Sequence, residues 1–454
     1  MLTLKLILSM RIMDSNKLPF SNFAGRILHD LTAGRSTSIV GLSNTGKSTL
    51  MRGLSSPYAE KLYMAERNRP GTLVYVDCNQ AVAISAQAFY EIVLRSLLER
   101  LGEMISAKLA SKLRDHHQAV TEAETSFAAS LSFNLALTEL CEQMEGDLCL
   151  LFDEFDEIYA ALDDRALLNL RALRDRFMNR LTYVTATIRS LPTIRGRSIE
   201  GEFAELFSHT TYPMPFLEMV EAKGLLENLE LPFLSTERHE ACIELAGLHP
   251  GLLIAVSQFV GKLPEEWVGD LLRTVSREPQ PRAECLKIWG QLTSDEQSAL
   301  VTLMIDQGEG LPVQLHEHLS KLGLVYREKR QIFSKIFGEF VARRGRGSEV
   351  EAEGVYLDAD SGDVWVSGVR IPVLTDLEFR LLELLYERRD KITDKYRIVT
   401  AVWGESYLGE VDDARVEKLV SRLRSKIEPD PAKPLYLITQ RGRGYKLLSK
   451  PMKK

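Results

Sequence analysis

The sequence predicts an α/β fold built on a parallel sheet, followed by a separate α+β unit at the C-terminal end. Three observations predict it. Residues 30–215 alternate unbroken apolar runs with helix-prone stretches. A charged, glycine-spaced stretch, "RRGRGSEVEAE" (343–353), interrupts the chain. Beyond it, residues 354–454 turn to short strands and amphipathic helices. At 454 residues the chain is too long for one core, and roughly three domains are expected.

The N-terminal "MLTLKLILSMRIM" is apolar, but Lys5 and Arg11 interrupt it. It has no small-residue cleavage site, so it is not read as a secretory signal. Residues 1–19 form an extension: either an extra strand or an over-long start, with Met13 a second plausible initiator. Strands are expected at "TSIVGL" (37–42), "TLVYVD" (72–77), "LCLLFD" (148–153) and "LTYVTAT" (181–187). Their apolar runs show little polar alternation, as in parallel strands covered on both faces. Residues 85–145 are helix-prone, and 216–280 read as helices only. Residues 283–342 continue the helical pattern and end in "LGLVYREKRQIFSKIFGEFV", which suits a helix, a turn and a small β-wing.

After the linker at 343–353, "GVYLDADSGDVWVSGVRIPV" (354–373) holds short strands parted by Asp, Ser and Gly turns. Thr375, with Glu378 three residues on, predicts a capping box ahead of a leucine-rich helix. Further helices are expected at about 394–403 and 413–427. The expected division is an extension (1–19), a core (20–215), a helical lid (216–282), a winged helix (283–342), a linker (343–353) and a C-terminal domain (354–454).

Apolar residues make up 45% and charged residues 26% of the chain, as in soluble globular proteins. No run approaches the ~20 uncharged apolar residues that span a bilayer, so no membrane is expected. The five cysteines form no CxxC and lie near no histidine pair. This argues against zinc and for reduced thiols in a cytoplasmic protein. The net charge is −6, unevenly spread. From Ala414 to Lys454 there are 12 Lys+Arg against 3 Asp+Glu, a net +9, which leaves −15 on the first 413 residues. An acidic body with a basic end points to a nucleic-acid contact there, or to a merely solvated tail.

"GLSNTGKST" fits G-x-x-x-x-G-K-[ST]. Gly41 and Gly46 let the backbone of Ser43, Asn44 and Thr45 curl, so that N–H groups point at phosphate oxygens. The helix opened by Lys47, Ser48 and Thr49 adds its positive end. Lys47 would reach the β- and γ-phosphates, and the Ser48 hydroxyl would ligate Mg²⁺. "LCLLFDEFDE" supplies the expected second element. Asp153 ends the strand and would hold the magnesium through water, beside Ser48. Glu154 is placed as a general base for the attacking water. The plainer reading of the acidic run is a solvated helix start, which accounts well for Asp156 and Glu157. Arg189, just past the strand in "YVTATIRSL", either senses a γ-phosphate or forms a surface salt bridge.

The order of "GLSNTGKST", "LVYVD", "LCLLFDEFDE" and "YVTATIR" resembles the signal-transduction ATPases of the STAND class, relatives of AAA+ proteins. "ELAGLHPGLLIAV" (244–256) and the winged-helix-like 283–342 extend the likeness over about 20–342. The resemblance implies ATP and Mg²⁺ as cofactors and a lid whose Pro250 packs near the adenine. His249 before it reads more simply as a partly buried helix start. The class is implied to alternate between a closed ADP form and an open, self-associating ATP form.

On the helix at 413–427, Val416, Val420, Leu423 and Ile427 share one side. Arg415, Lys418 and Arg422 share another, with Ser421 beside them. Such a helix suits a major groove. In "QRGRGYKL", Gly442 and Gly444 permit a tight turn from which Arg441 and Arg443 extend, suited to a minor groove or to phosphate. "LTDLEFRLLELL", "VTAVWG", "ARVEKLVSRLRSKIE" and "LITQRGRGYKL" together resemble the OmpR/PhoB-type winged helix of bacterial response regulators, across 354–449. No receiver domain of the kind usual in that family is read in these residues, so control by ATP is expected in place of control by phosphotransfer.

The expectation is an ATP-binding switch, hydrolysing slowly if at all, that controls double-stranded DNA binding and transcription through nucleotide-dependent homo-oligomers. A sensed protein partner would supply the input. The alternatives are a DNA-loading or remodelling ATPase of a mobile-element, replication or defence system, and a signalling ATPase whose basic domain binds protein.

Overall fold

All four apolar runs form strands in the computed structural model: β1 (Thr37–Val40), β2 (Gly71–Asp77), β3 (Asp147–Asp153) and β4 (Leu181–Thr187). The structure describes residues 17–196, 201–229, 231, 235–264, 267–305, 311–326, 328–346, 354–357, 362, 364–367, 369–371, 374–404, 413–440 and 442–448. They fall into two units: Met1–Ala299 with Leu311–Phe337, and Leu300–Gly310 with Gly338–Lys454.

In the first unit the strands form one parallel sheet of order β2-β3-β4-β1-β5. The fifth strand, β5 (Thr211–Pro213), carried no signal in the sequence. It is a three-residue edge strand, and Pro is tolerated in a sheet only at such an edge. The continuous apolar reading holds because both faces are covered. Leu148, Leu150, Phe152 and Tyr183 pack into one core, while Ile39, Cys149, Leu151 and Val184 pack into the other. Phe152 stacks on Phe155 at 5.2 Å and on Tyr183 at 5.6 Å between ring centroids. Such pairs add about 0.5–1.5 kcal/mol each beyond area burial.

Helix α1 (Ser21–Thr32) precedes the sheet, and α2 (Lys47–Leu54) and α3 (Pro57–Arg67) follow β1. The helix-prone 85–145 stretch becomes α4 (Ala86–Leu101), α5 (Ala107–Thr121) and α6 (Ser126–Gln143). Ser85, Ser106 and Thr125 each start one of them by accepting a backbone N–H three residues on. Past the sheet come α7 (Met219–Asn228), α8 (Thr236–Ala246), α9 (Pro250–Val260), α10 (Pro279–Gly290), α11 (Ser294–Ile305) and α12 (Val313–Lys321). Among the described residues, the expected β-wing before 342 is one antiparallel bridge, Val325 to Ile332. The helix after it, α13 (Lys335–Arg346), runs four residues into the stretch read as linker. An i,i+4 pair between Glu339 and Arg343 at 3.0 Å supports that last turn.

The second unit opens its C-terminal part with an antiparallel sheet, β6 (Val355–Leu357), β7 (Val364–Val366) and β8 (Val369–Arg370). Helices α14 (Asp376–Glu387), α15 (Lys395–Val402) and α16 (Asp413–Ile427) follow, then the hairpin β9 (Leu437–Gln440) and β10 (Gly444–Leu447). Leu381, Leu385, Ile398, Val420, Leu423 and Leu447 share one core. The Thr375–Glu378 capping box is formed, and Lys426 of α16 reaches Glu378 at 2.7 Å.

Candidate nucleotide and nucleic-acid sites

The loop between β1 and α2 has the curl its glycines predict. Gly46 sits at φ +100°, and Asn44 is also left-handed at φ 61°. A Cβ on Gly46 would lie 2.6 Å from the Phe20 ring, so close approach as well as φ demands glycine. The Gly41 N–H donates to Thr187 O at 3.0 Å, tying the loop to the end of β4. The Thr45 hydroxyl donates to Leu42 O at 2.8 Å. Lys47 is buried, and its Nζ donates to Gly41 O at 2.6 Å and Leu42 O at 3.0 Å. Burial lowers its pKa, opposed by the charges of Glu154, Asp153 and Asp156. Ser48 and Thr49 are half-buried in the first turn of α2.

Asp153 ends β3 almost fully buried. Its Oδ2 accepts the Tyr75 hydroxyl at 2.8 Å, while Oδ1 has no hydrogen-bond partner. An orphaned carboxylate oxygen at a strand end fits a cation or its water. Glu154 follows at φ 52°, a left-handed residue with a side chain. Backbone strain of this kind gathers at functional sites. Asp156 is occupied otherwise: its Oδ1 accepts the Ile188 N–H at 2.8 Å.

Arg189 forms a salt bridge, but not a surface one. Its Nη1 and Nη2 meet Glu296 at 2.7 and 2.6 Å, and Glu296 is only 3% exposed. Nη2 also donates to Gln291 O. A cavity of about 250 Å³ opens beside the loop, walled by residues 17–20, by Gly46 and Thr49, by Leu217 and Leu225, and by Pro250. Pro250 thus lines the same cavity as Gly46 and Thr49 of the loop. His249 is wholly buried, more so than its sequence suggested. As N-cap of α9, its Nδ1 accepts the Leu252 N–H at 3.2 Å. Burial lowers its pKa to about 4.

In the second unit, α16 is divided as the wheel predicts. Val416, Val420, Leu423 and Ile427 are buried, as is Leu419. Arg415, Lys418, Ser421 and Arg422 are exposed. Arg415 lies over the Trp403 ring at 6.0 Å. Arg443 is exposed at the hairpin turn, where Gly442 has φ +71° and Gly444 φ +120°. Arg441 lies outside the described residues.

The sequence did not single out the groups that anchor this hairpin. Arg424 looks like one more cation on α16. Its Nη2 donates to Leu437 O and Thr439 Oγ1, each at 2.7 Å. Buried Glu428 accepts the N–H groups of Leu435, Tyr436 and Leu437 at 2.6, 3.0 and 2.7 Å. Neither has a periodic signature, because each bonds backbone made by another element.

Residues 371–447 match the family described as "Transcriptional regulatory protein, C terminal". Over 152 residues, 32% of the chain, the sequence is 35% identical to the sensory transduction protein RegX3 of Mycobacterium leprae and covers 72% of it. The chain belongs to this family through its C-terminal domain. This transcriptional-regulator domain is of the OmpR/PhoB type and is DNA-binding, and the parallel sheet with its G-x-x-x-x-G-K-[ST] loop precedes it. The RegX3 protein of Mycolicibacterium smegmatis is 34% identical over 151 residues, again 32% of the chain, and the chain spans 62% of that relative's length. Among solved structures, a Walker-type ATPase of Pyrococcus abyssi aligns over 74% of the chain and 99% of its own, at 15% identity and a TM-score of 0.46.

Among the described residues no helix is long and apolar enough to cross a membrane. All five cysteines are free and buried. No cluster of three or more His, Cys, Asp or Glu residues suited to a metal occurs among the described residues.

Proposed function

We propose that this chain is a STAND-type switch in which adenine-nucleotide state governs how the transcriptional-regulator domain engages double-stranded DNA. The observation that carries the reading is the meeting of a left-handed glycine loop, buried Lys47 and the orphaned Asp153 Oδ1 in a chain that ends in an exposed arginine flank. The N–H groups of residues 43–49 would bind the phosphates, with Lys47 on the β- and γ-oxygens. Ser48 and Asp153 would hold Mg²⁺, which would screen the phosphate charge. Glu154 would orient and deprotonate water in a slow hydrolysis. The cavity beside Pro250 would take the adenine. Residues 17–20, which line that cavity, would then belong to the nucleotide site as well.

The chain divides, in this reading, into core (20–215), lid (216–282), winged helix (283–342), linker (343–353) and DNA-binding domain (354–454), and works in the cytoplasm. Arg415, Lys418, Ser421 and Arg422 would meet the major groove, with Arg441 and Arg443 at the wing. One such module has a small footprint and binds weakly alone. ATP-driven self-association would set several on adjacent sites and multiply affinity. A protein partner would supply the input signal.

Duplex binding by the full chain is compared with ATP, with ADP and with no nucleotide, alongside the mass of the assembly by light scattering. The reading expects tighter binding and larger particles with ATP. Indifference of both to nucleotide sinks it. Turnover strongly stimulated by DNA would instead favour a DNA-loading or remodelling ATPase.

A further inference from the structure

Arg189 is one end of a hydrogen-bonded chain that also grips the phosphate loop. Glu296 takes both terminal nitrogens of Arg189 at 2.7 and 2.6 Å. Glu296 is itself fixed by His318 Nε2 at 2.7 Å and by the Thr293 N–H at 2.8 Å. Gln291, whose carbonyl oxygen accepts from Arg189, turns its side chain onto the loop. Its Oε1 accepts the Ser43 N–H at 2.9 Å, and its Nε2 donates to Ser43 Oγ at 2.5 Å. Two turns back, on α10, Glu284 accepts from Asn44 Nδ2 at 2.7 Å. The segment 284–296 therefore holds the loop at two residues and Arg189 at a third point.

A carboxylate and a phosphate offer a guanidinium the same thing: two anionic oxygens in the plane of its N–H groups. Burial would raise the Glu296 pKa, but the bonds from Arg189, His318 and Thr293 outweigh it and hold it down to about 2. Glu296 is thus an anion at neutral pH. A second anion that takes the same two terminal nitrogens of Arg189 must displace Glu296.

We propose that Glu296 competes with the terminal phosphate of a nucleoside triphosphate for Arg189, and that 284–296 is a latch which a triphosphate opens and a diphosphate leaves shut. This rests on the reading of residues 41–49 as a nucleotide site. A diphosphate has no third phosphate to offer Arg189, so the Glu296 clasp stays. A triphosphate that takes Arg189 also strips the segment of its anchor and leaves Gln291 and Glu284 to hold the loop alone. The clasp makes the site pay a binding penalty for triphosphate only. Coupling between sites typically spans roughly 5- to 150-fold, and removal of the clasp should move affinity within that range.

The test titrates fluorescent ATP and ADP analogues against the full chain as wild type, Glu296→Gln, Arg189→Ala and the double variant. Glu296→Gln should tighten ATP by roughly 5-fold or more and leave ADP unchanged. In the Arg189→Ala background the same change should do nothing. Gln291→Ala, which removes only the side-chain contacts to Ser43, should shift ATP the same way but less, and carries the test if Glu296→Gln fails to fold. A wild type that binds both nucleotides while neither variant changes the ATP-to-ADP ratio overturns the latch alone. Equal tightening of ATP and ADP also overturns it. A wild type that binds neither nucleotide overturns the nucleotide site itself, and the latch with it.

Discussion

The Tyr75 hydroxyl donates to Asp153 Oδ2 at 2.8 Å, and so turns the other carboxylate oxygen, Oδ1, into a buried atom with no partner. Burial, and then the charge of Asp153, raises the Tyr75 pKa, so the hydroxyl keeps its proton and remains a donor. Asp153→Asn should remove the part of ATP affinity that depends on Mg²⁺. Tyr75→Phe should lose several-fold in Mg²⁺ and nothing in EDTA, because it frees the carboxylate without discharging it. Nucleotide titrations with and without the metal check both.

Lys47→Ala should abolish nucleotide binding. The lysine is buried and bonded to two loop carbonyls, and alanine replaces neither its charge nor its reach. The variant should still bind duplex DNA at low salt, since α16 and the hairpin have a core of their own. Calorimetry with ATP and a gel-shift assay at low salt measure the two halves of this expectation.

On α16, charge and base contacts should separate. Arg422→Ala should cost about 1–3 kcal/mol of duplex affinity and relax preference at one base pair if it reads a base edge. Lys418→Ala should weaken all sequences alike and reduce the slope of log affinity against log salt by about one. Binding measured over a salt series on two DNA sequences distinguishes them.

Gly444→Ala should damage the hairpin. A Cβ there would stand 2.1 Å from Thr393 O, at φ +120° where side chains are rarely tolerated. That contact belongs to the Thr393–Tyr445 bridge, with N–H···O bonds of 2.8 and 3.0 Å. Strain of this kind costs about 1–3 kcal/mol before the lost bonds are added. Thermal unfolding should show the loss, and duplex affinity should fall with it.

His249 supplies a pH dependence with a definite sign. Burial lowers its pKa from 6.5 to about 4. Between those values the unfolded chain binds the proton and the folded chain does not. Stability from neutral His249 is therefore complete above about pH 6.5, and lost as pH falls towards about 4. The full loss is on the order of 3 kcal/mol. Denaturant midpoints across this range should fall for the wild type and stay flatter for His249→Gln, which can still accept the Leu252 N–H.

The parts legible in the sequence were those with a local signature. Strands covered on both faces announce themselves as unbroken apolar runs, and the capping box at Thr375 needs only two residues three positions apart. The phosphate loop is a contiguous motif, and the two sides of α16 are written in a period of 3.6. What escaped was made by distant partners. Nothing local marks Glu296 as the partner of Arg189, or Gln291 as the partner of Ser43, because the chain separates them by 107 and 248 residues. Glu428 looks like a polar helix end, yet its three acceptor bonds exist only once residues 435–437 arrive. β5 was invisible because an edge strand of "TYP" needs no apolar run.

The order of the central sheet has its own consequence. β4 lies between β1 and β3, so the glycine loop and the acidic turn stand two inter-strand spacings apart, roughly 10 Å. Arg189 lies in the connection that follows the intervening strand. Three short connections on three consecutive rungs are thus spaced by a ruler that the backbone ladder sets, not by side chains. A lineage could exchange the residue offered by the middle rung, and with it what the protein notices, without disturbing the grip on either side.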